Sequence, residues 1–254
     1  AFTEVPFKGN PAAVCLLAGP EPSAWMQSLA MEMNLSETAF LLPEDEGWRL
    51  RWFSPRTEVR LCGHATLASA MVLFTKHPEL REGSLQFNTL SGELRARWVG
   101  GKVALDFPVM IPEPAAIDPK VESALGVSLL KAVHAGDYFL FEVDDVSAVC
   151  QMSPDFAALG ECATPEVIVT ARSDDPAFDF ISRFFAPRLG IDEDPVTGSA
   201  HCLLAPYWAE KLNKKAFKAY QASARGGVLQ VQLIGDRVEL IGDASFVFEG
   251  YLLV

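Results

Sequence analysis

Three short stretches of this 254-residue chain carry side chains able to do chemistry: "NLSETAF" around Glu37, "LCGHAT" around Cys62, Gly63 and His64, and "EDPVTGSAH" around Asp194, Gly198 and Ser199. Glu37 opens an apolar run that ends at Pro43. A carboxylate entering such a run is costly to bury unless paired, so its pKa is expected to rise, which suits a general acid/base near neutrality. Asn34 and Glu37 also have the spacing of a capping box, and the spacing leaves both readings open. His64 follows Gly63 at the start of an apolar stretch; a histidine at a helix N-terminus tends to be neutral and ready to hydrogen-bond or shuttle protons. Asp194 precedes Gly198 in the same way, although Asp192 and Glu193 could equally complement a helix dipole there.

Other chemistries fit less well. Ser199 in "TGSAH" does not match the G-x-S-x-G nucleophile elbow. Cys62 and His64, two residues apart at a helix start, are not expected to align as a thiol–imidazole pair. His64 and His201 lack the close ligand spacing of a metal site, so no metal is expected.

The elements that hold these residues are written twice. Arg51-Trp52-Phe53-Ser54-Pro55-Arg56 lies over Arg183-Phe184-Phe185-Ala186-Pro187-Arg188 at an offset of 132, with four of six positions identical. At an offset of 135, Glu58, Gly63, Ala65 and Ala70 fall on Glu193, Gly198, Ala200 and Ala205. A repeat of this length means two copies of a domain, not a solenoid. Each copy contains a Gly-opened helix that is apolar nearly all round, the mark of a helix buried on every side. Its first amides and positive dipole end need a capping group, water or an anion, and glycine lets a ligand approach the backbone. A pseudo-twofold relation would aim both helix starts at one cleft, where Gly63–His64 and Gly198–Ser199 would grip a small carboxylate. Taken singly, each glycine could merely permit a tight turn, with Thr197 as an N-cap.

Composition sets the outer bounds. Half the residues are apolar, enough for a substantial core. A net charge of −12 argues against nucleic-acid binding, which needs a basic footprint. Five cysteines at unpaired spacings disfavour a disulfide framework and point to a reducing, cytoplasmic setting. Apolar runs of about ten residues are too short to span a bilayer, and no signal peptide is visible.

Along the chain, "AFTEVPFKGNPAAVCLL" suggests two strands around Lys8–Pro11. Residues 23–33 suggest a helix capped by Ser23 and closed by Asn34, with Trp25, Leu29 and Met33 on its apolar stripe. "ETAFLLP" and "WRLRWF" read as a hairpin, "GHATLASAMVLFTKH" as the first buried helix, and residues 84–108 as strands. The proline-rich segment 108–119 reads as a linker. The second half repeats the plan, ending in a possible strand near 246–254 that could pack on the first half. The expectation is an α+β fold of two pseudo-twofold-related halves, 1–110 and 111–254, each a mostly antiparallel curled sheet around a buried central helix.

Together, "AFTEVPFKGNPAAV", "NLSETAF", "VRLCGHATLASA", "RFFAPRLGIDEDPVTGSAHCLLAPYW" and "SARGG" resemble the phenazine-biosynthesis, PhzF-like isomerase family, whose fold is similar to that of diaminopimelate epimerases. The resemblance implies Glu37 as the acid/base, with His64, Asp194 and Ser199 as active-site residues. It also implies a cofactor-free reaction, usually a homodimer, and a proton and double-bond shift in a small cyclic amino-hydroxy carboxylic acid. Epimerases use a cysteine at each helix start, whereas here Cys62 is matched by Thr197, too weak an acid to serve. That favours a one-base isomerisation over racemisation or epimerisation through Cys62. A non-catalytic acid-binding or scaffold protein on the same fold is the alternative. "GHAT" in place of the "GHPT" of the phenazine-pathway enzymes sets this chain apart from them.

Overall fold

The computed structural model describes residues 1–253. Packing divides the chain into two compact units: Ala1–Leu105 together with residues from Ile241 onward, and Asp106–Leu240.

The first unit is built from β1 (Ala12–Leu16), α1 (Ser23–Met33), β2 (Glu37–Pro43), β3 (Trp48–Phe53), β4 (Glu58–Val59), α2 (Gly63–Lys76), β5 (Ser84–Thr89), β6 (Gly92–Val99) and β7 (Lys102–Pro108). Its strands lie in the order β1-β2-β3-β5-β6-β7, with β4 beside β3. The pairs β1/β2 and β3/β5 are parallel, while β2/β3, β5/β6 and β6/β7 are antiparallel. Helix α2 packs against β1, β2 and β6, so the sheet wraps it from both sides. Ten of its fourteen residues are buried, as its nearly unbroken apolar character requires. On the other face of β2 and β3, α1 seats Met26 and Ala30 against Phe40 and Phe53, with Trp25 and Leu29 at the margin.

The second unit contains β8 (Glu113–Pro114), α3 (Pro119–Leu125), β9 (Lys131–Ala135), β10 (Tyr138–Glu142), α4 (Val146–Gln151), α5 (Phe156–Glu161), β11 (Glu166–Arg172), β12 (Phe180–Phe185), α6 (Gly198–Leu212), β13 (Ala216–Gln221), β14 (Gly227–Ile234) and β15 (Arg237–Gly242). The order β10-β11-β12-β13-β14-β15 repeats that of the first unit, and β8 and β9 extend it beyond β10. The parallel pairs recur in the same places, β10/β11 and β12/β13. All six residues of β12 are buried, because both faces are covered. Side chains alternate along a strand. Phe180 stacks on Trp208 of α6, with ring centres 5.7 Å apart. Ile181 and Phe185 face the other way, into a core shared with α3, α4 and α5.

The duplication seen in the sequence extends to contacts. Arg51 grips Glu58 with two hydrogen bonds of 2.7 and 2.8 Å and lies 5.0 Å over the Phe53 ring. Arg183 grips Glu193 at 2.7 and 2.9 Å and lies 4.9 Å over Phe185. The same clasp thus ties the strand to the loop before the buried helix in each copy.

Several local expectations are corrected. Residues 1–11 form turns and not a strand, because Phe2, Phe7 and Gly9 all adopt positive φ. Ser23 is the first helical residue of α1 and not its cap; its hydroxyl accepts from Arg51 at 2.8 Å. Asn34 closes α1 in the left-handed conformation, as expected. The capping-box reading of Asn34 and Glu37 falls away, since Glu37 begins a strand. Residues 246–253 form no strand: Phe248 and Tyr251 are 76% and 94% exposed, without the backbone pairing a strand needs. Position 254 lies outside the described residues. In the proline-rich segment 108–119, β8 pairs with β9, and the amide of Met110 donates to the Cys202 carbonyl. The chain passes from the first unit to the second earlier, within β7.

Candidate active site

In the first unit, Glu37 is the first residue of β2, held opposite Ala12 of β1. The strand end brings its carboxylate to the start of α2. There Cys62 is the N-cap residue without a side-chain capping bond, and the first turn of the helix holds no acidic residue. The positive end of α2 therefore acts on whatever lies in front of it. Glu37 Oε2 stands 3.5 Å from Cys62 Sγ and 3.3 Å from His64 Nε2, the latter a contact without hydrogen-bond geometry. Cys62 Sγ is also 3.5 Å from His64 Nδ1. The expectation that Cys62 and His64 would not meet is corrected: Cys62 precedes the helix with extended backbone, which turns its side chain back over the first turn.

His64 is buried, and burial drives its pKa down to about 3, against the raising effect of the Pro11 carbonyl. At neutral pH it is an uncharged imidazole, as the helix-start position predicts, so its contact with Glu37 is not an ion pair. Glu37, Cys62 and His64 each offer a ligand atom within 4.8 Å of the others, the one such group among the described residues. No metal was expected from the spacing, and His201 does not join this group. A buried helix start opposes a cation, so the trio is more simply a hydrogen-bonded acid/base set.

In the second unit, the start of α6 is organised around Thr197, again an N-cap without a side-chain capping bond ahead of a first turn lacking acids. The Thr197 hydroxyl donates to Asp194 Oδ2 at 2.5 Å, and its amide donates to Gln221 Oε1 at 2.8 Å. Gln221 in turn donates to the Asp194 carbonyl at 2.9 Å and to Thr197 Oγ1 at 3.1 Å. Asp194 is thus fixed at the helix start, while Glu193 is occupied by Arg183. That separates two carboxylates the sequence left equivalent. Ser199 accepts a 2.9 Å hydrogen bond from the Tyr138 hydroxyl of β10. His201 is enclosed, its Nδ1 2.9 Å from the Thr197 carbonyl, and burial lowers its pKa to about 4.

The structure therefore brings Glu37, Cys62, Gly63 and His64 together in one unit, and Asp194, Thr197, Gly198 and Ser199 together in the other. Sequence reasoning missed Tyr138, Glu166 and Gln221. Gln221 carries no local signal, being one polar residue at the end of an alternating strand. Glu166 had one: like Glu37, it opens an apolar strand.

Comparison with known proteins bears on the family and the fold. The family model described as phenazine biosynthesis-like protein matches residues 1–250. An uncharacterised isomerase of Halalkalibacterium halodurans is 48% identical over 100% of this chain and 96% of its own. The crystal structure of a PhzF-family phenazine biosynthesis protein from Enterococcus faecalis superimposes with a TM-score of 0.94 at 44% identity, covering 99% of this chain and 96% of that one. A probable proline racemase from Agrobacterium radiobacter, 15% identical, has a TM-score of 0.62 over 95% of this chain and 90% of its own, a likeness of fold alone. With two repeated sheet-and-helix units, a glutamate at the first helix start and a family match over nearly its whole length, this chain belongs to the phenazine biosynthesis-like, PhzF family.

Proposed function

We propose that this protein is a cofactor-independent isomerase that moves a proton within a small carboxylic acid, with Glu37 as the acid/base. The observation that carries this reading is the placement of the Glu37 carboxylate against Cys62 and His64 at the start of a buried helix. Glu37 takes a proton from carbon and returns it to another atom. His64, neutral at working pH, hydrogen-bonds a heteroatom of the substrate and polarises it. In the first unit the amides at Gly63–His64 are an anion-binding helix start for a carboxylate; in the second unit Gly198 and Ser199 offer the matching helix-start amides, with Asp194 beside them as a partner for an amino or hydroxyl group. A homodimer in the cytoplasm completes the proposal; light scattering on the purified chain tests the first part.

The test is proton exchange. Wild-type protein is incubated in D₂O with a panel of small amino and hydroxy carboxylic acids, and loss of C–H signals is followed by proton NMR. Glu37→Gln should slow exchange of an active acid by about 10²–10⁴-fold. Exchange by Glu37→Gln within a few fold of wild type overturns the assignment. Acids that raise thermal stability without exchanging would favour the alternative of a non-catalytic acid-binding protein.

A second reading has one observation in its favour: Cys62 Sγ contacts both Glu37 and His64. Such a thiol could itself remove an α-proton, as a racemase or epimerase requires.

A further inference from the structure

The repeat places a second carboxylate where Glu37 stands. Glu166 opens β11 as Glu37 opens β2, and each strand is seven residues long. Glu37 pairs in parallel register with Ala12 of β1, and Glu166 pairs with Tyr138 of β10. Beyond them, Ser199 occupies the place of His64 at an offset of 135. In the first copy the glutamate reaches the helix-start histidine directly. In the second, serine is shorter, and Tyr138, where the first copy has alanine, spans the gap.

The donors and acceptors of this chain have one consistent order. The Tyr138 hydroxyl gives its only proton to Ser199 Oγ, at 2.9 Å. Tyr138 stands in register with Glu166 of β11, whose carboxyl Oε2 is buried and without a hydrogen-bond partner. A buried carboxylate oxygen without a partner is expensive, whereas a carboxylic acid donating to Tyr138 is not. Burial raises the Glu166 pKa, as does Asp137, against the lowering effect of Tyr138; burial also raises that of Tyr138. With Glu166 protonated, each hydroxyl accepts from the group behind it, and the remaining proton of Ser199 points onward to a ligand. With Glu166 ionised, Tyr138 turns its proton back and Ser199 loses its donor.

We propose that Glu166, Tyr138 and Ser199 form a second proton-carrying chain, in which protonated Glu166 acts through Tyr138 to hold Ser199 as a hydrogen-bond donor to an anionic oxygen of the bound acid. Glu166 and Tyr138 are positioning residues; Ser199 touches the ligand. The inference rests on the proposed role of Ser199 in binding a carboxylate. When a proton passes outward, Ser199 gives one to the ligand oxygen, Tyr138 replaces it and Glu166 replaces that of Tyr138, so that Glu166 ends as the carboxylate. The other titratable groups around the chain are Asp137, in the turn before β10, and Cys202, further along α6.

Benzoate, which stays ionised above about pH 5 like any ordinary carboxylate, serves as the probe, with binding followed by NMR titration from pH 5 to 9. Wild-type affinity should fall as pH rises through the Glu166 ionisation. Tyr138→Phe should bind about five- to tenfold more weakly, as expected for loss of one hydrogen bond. Glu166→Gln, whose amide always donates, should keep the affinity and lose the pH step. A Glu166→Gln profile with the step unchanged, or wild-type affinity in Tyr138→Phe, overturns the proposal. Wild-type affinity in Ser199→Ala, or no binding by the wild type, instead overturns the underlying reading of Ser199. A second measurement needs no ligand. Ring signals of Tyr138 in the free protein should titrate above the usual carboxylate range, and this titration should vanish in Glu166→Gln. Its absence from the wild type also overturns the proposal.

Discussion

At the scale of single residues, the question is which atom at the start of α2 handles the proton. Glu37 Oε2 and Cys62 Sγ are 3.5 Å apart, so either could be the base with the other as its neighbour. Under the proposed isomerisation, the duplication favours Glu37. Epimerisation needs two groups on opposite faces of one carbon, and Thr197 stands at the position equivalent to Cys62. Cys62→Ala should therefore slow proton exchange by no more than about tenfold, well short of the 10²–10⁴-fold typical of losing a general base. Abolished exchange in Cys62→Ala, with Glu37→Gln the milder variant, would reverse the roles. The contact itself was not legible. Only Gly63 separates Cys62 from His64, yet it is the extended backbone of Cys62 before the helix that brings their side chains together.

At the scale of elements, the repeated Arg–Glu clasp locks each strand to the loop that delivers a buried helix. The two clasps differ in burial. Side chains of Arg51 and Glu58 keep 21% and 24% exposure, those of Arg183 and Glu193 only 10% and 18%. Arg183 also donates to the carbonyls of Val149 and Met152, holding α4 against β12. Removing one partner of a buried pair leaves a charge uncompensated, at about 3–5 kcal/mol, whereas an exposed pair contributes about 1 kcal/mol or less. Denaturant unfolding of Arg183→Ala should show a loss several times that of Arg51→Ala; equal losses would contradict the difference. This layer of the fold was legible, because Arg51, Phe53, Glu58 and Gly63 recur with their spacing nearly intact. Glu166 escaped because it lies 129 residues after Glu37, an offset shared with neither matched segment. Residues 1–11 were misread because positive φ at Phe2 and Phe7 leaves no trace in residue type.

For the molecule as a whole, burial of two histidines sets a pH limit on stability. His64 and His201 have folded pKa values near 3 and 4, below the ordinary 6.5. The unfolded chain thus takes up protons first as pH falls. Stability from both neutral rings is fully present above about pH 6.5 and is lost as pH drops towards 4, and then 3. Within that window each ring removes up to about 1.4 kcal/mol per pH unit. His201→Gln should flatten the decline of the urea midpoint between pH 6 and 4; an unchanged slope would show that His201 is not neutral in the fold. Burial of these rings was foreseeable from the apolar helices that carry them.

Phe2 is fully buried, Gly242 is so close that an added Cβ would fall 2.6 Å from the Phe2 ring, and the amide of Thr3 donates to the Asp243 carbonyl at 3.2 Å. The first unit is thus closed by residues made after the whole of the second, whereas the second is one unbroken length of chain. During synthesis the order of completion is inverted. Residues 106–240 have everything they need while the earlier half still waits for its final piece, so nascent chains stalled before Ile241 would hold a finished second unit and an open first one.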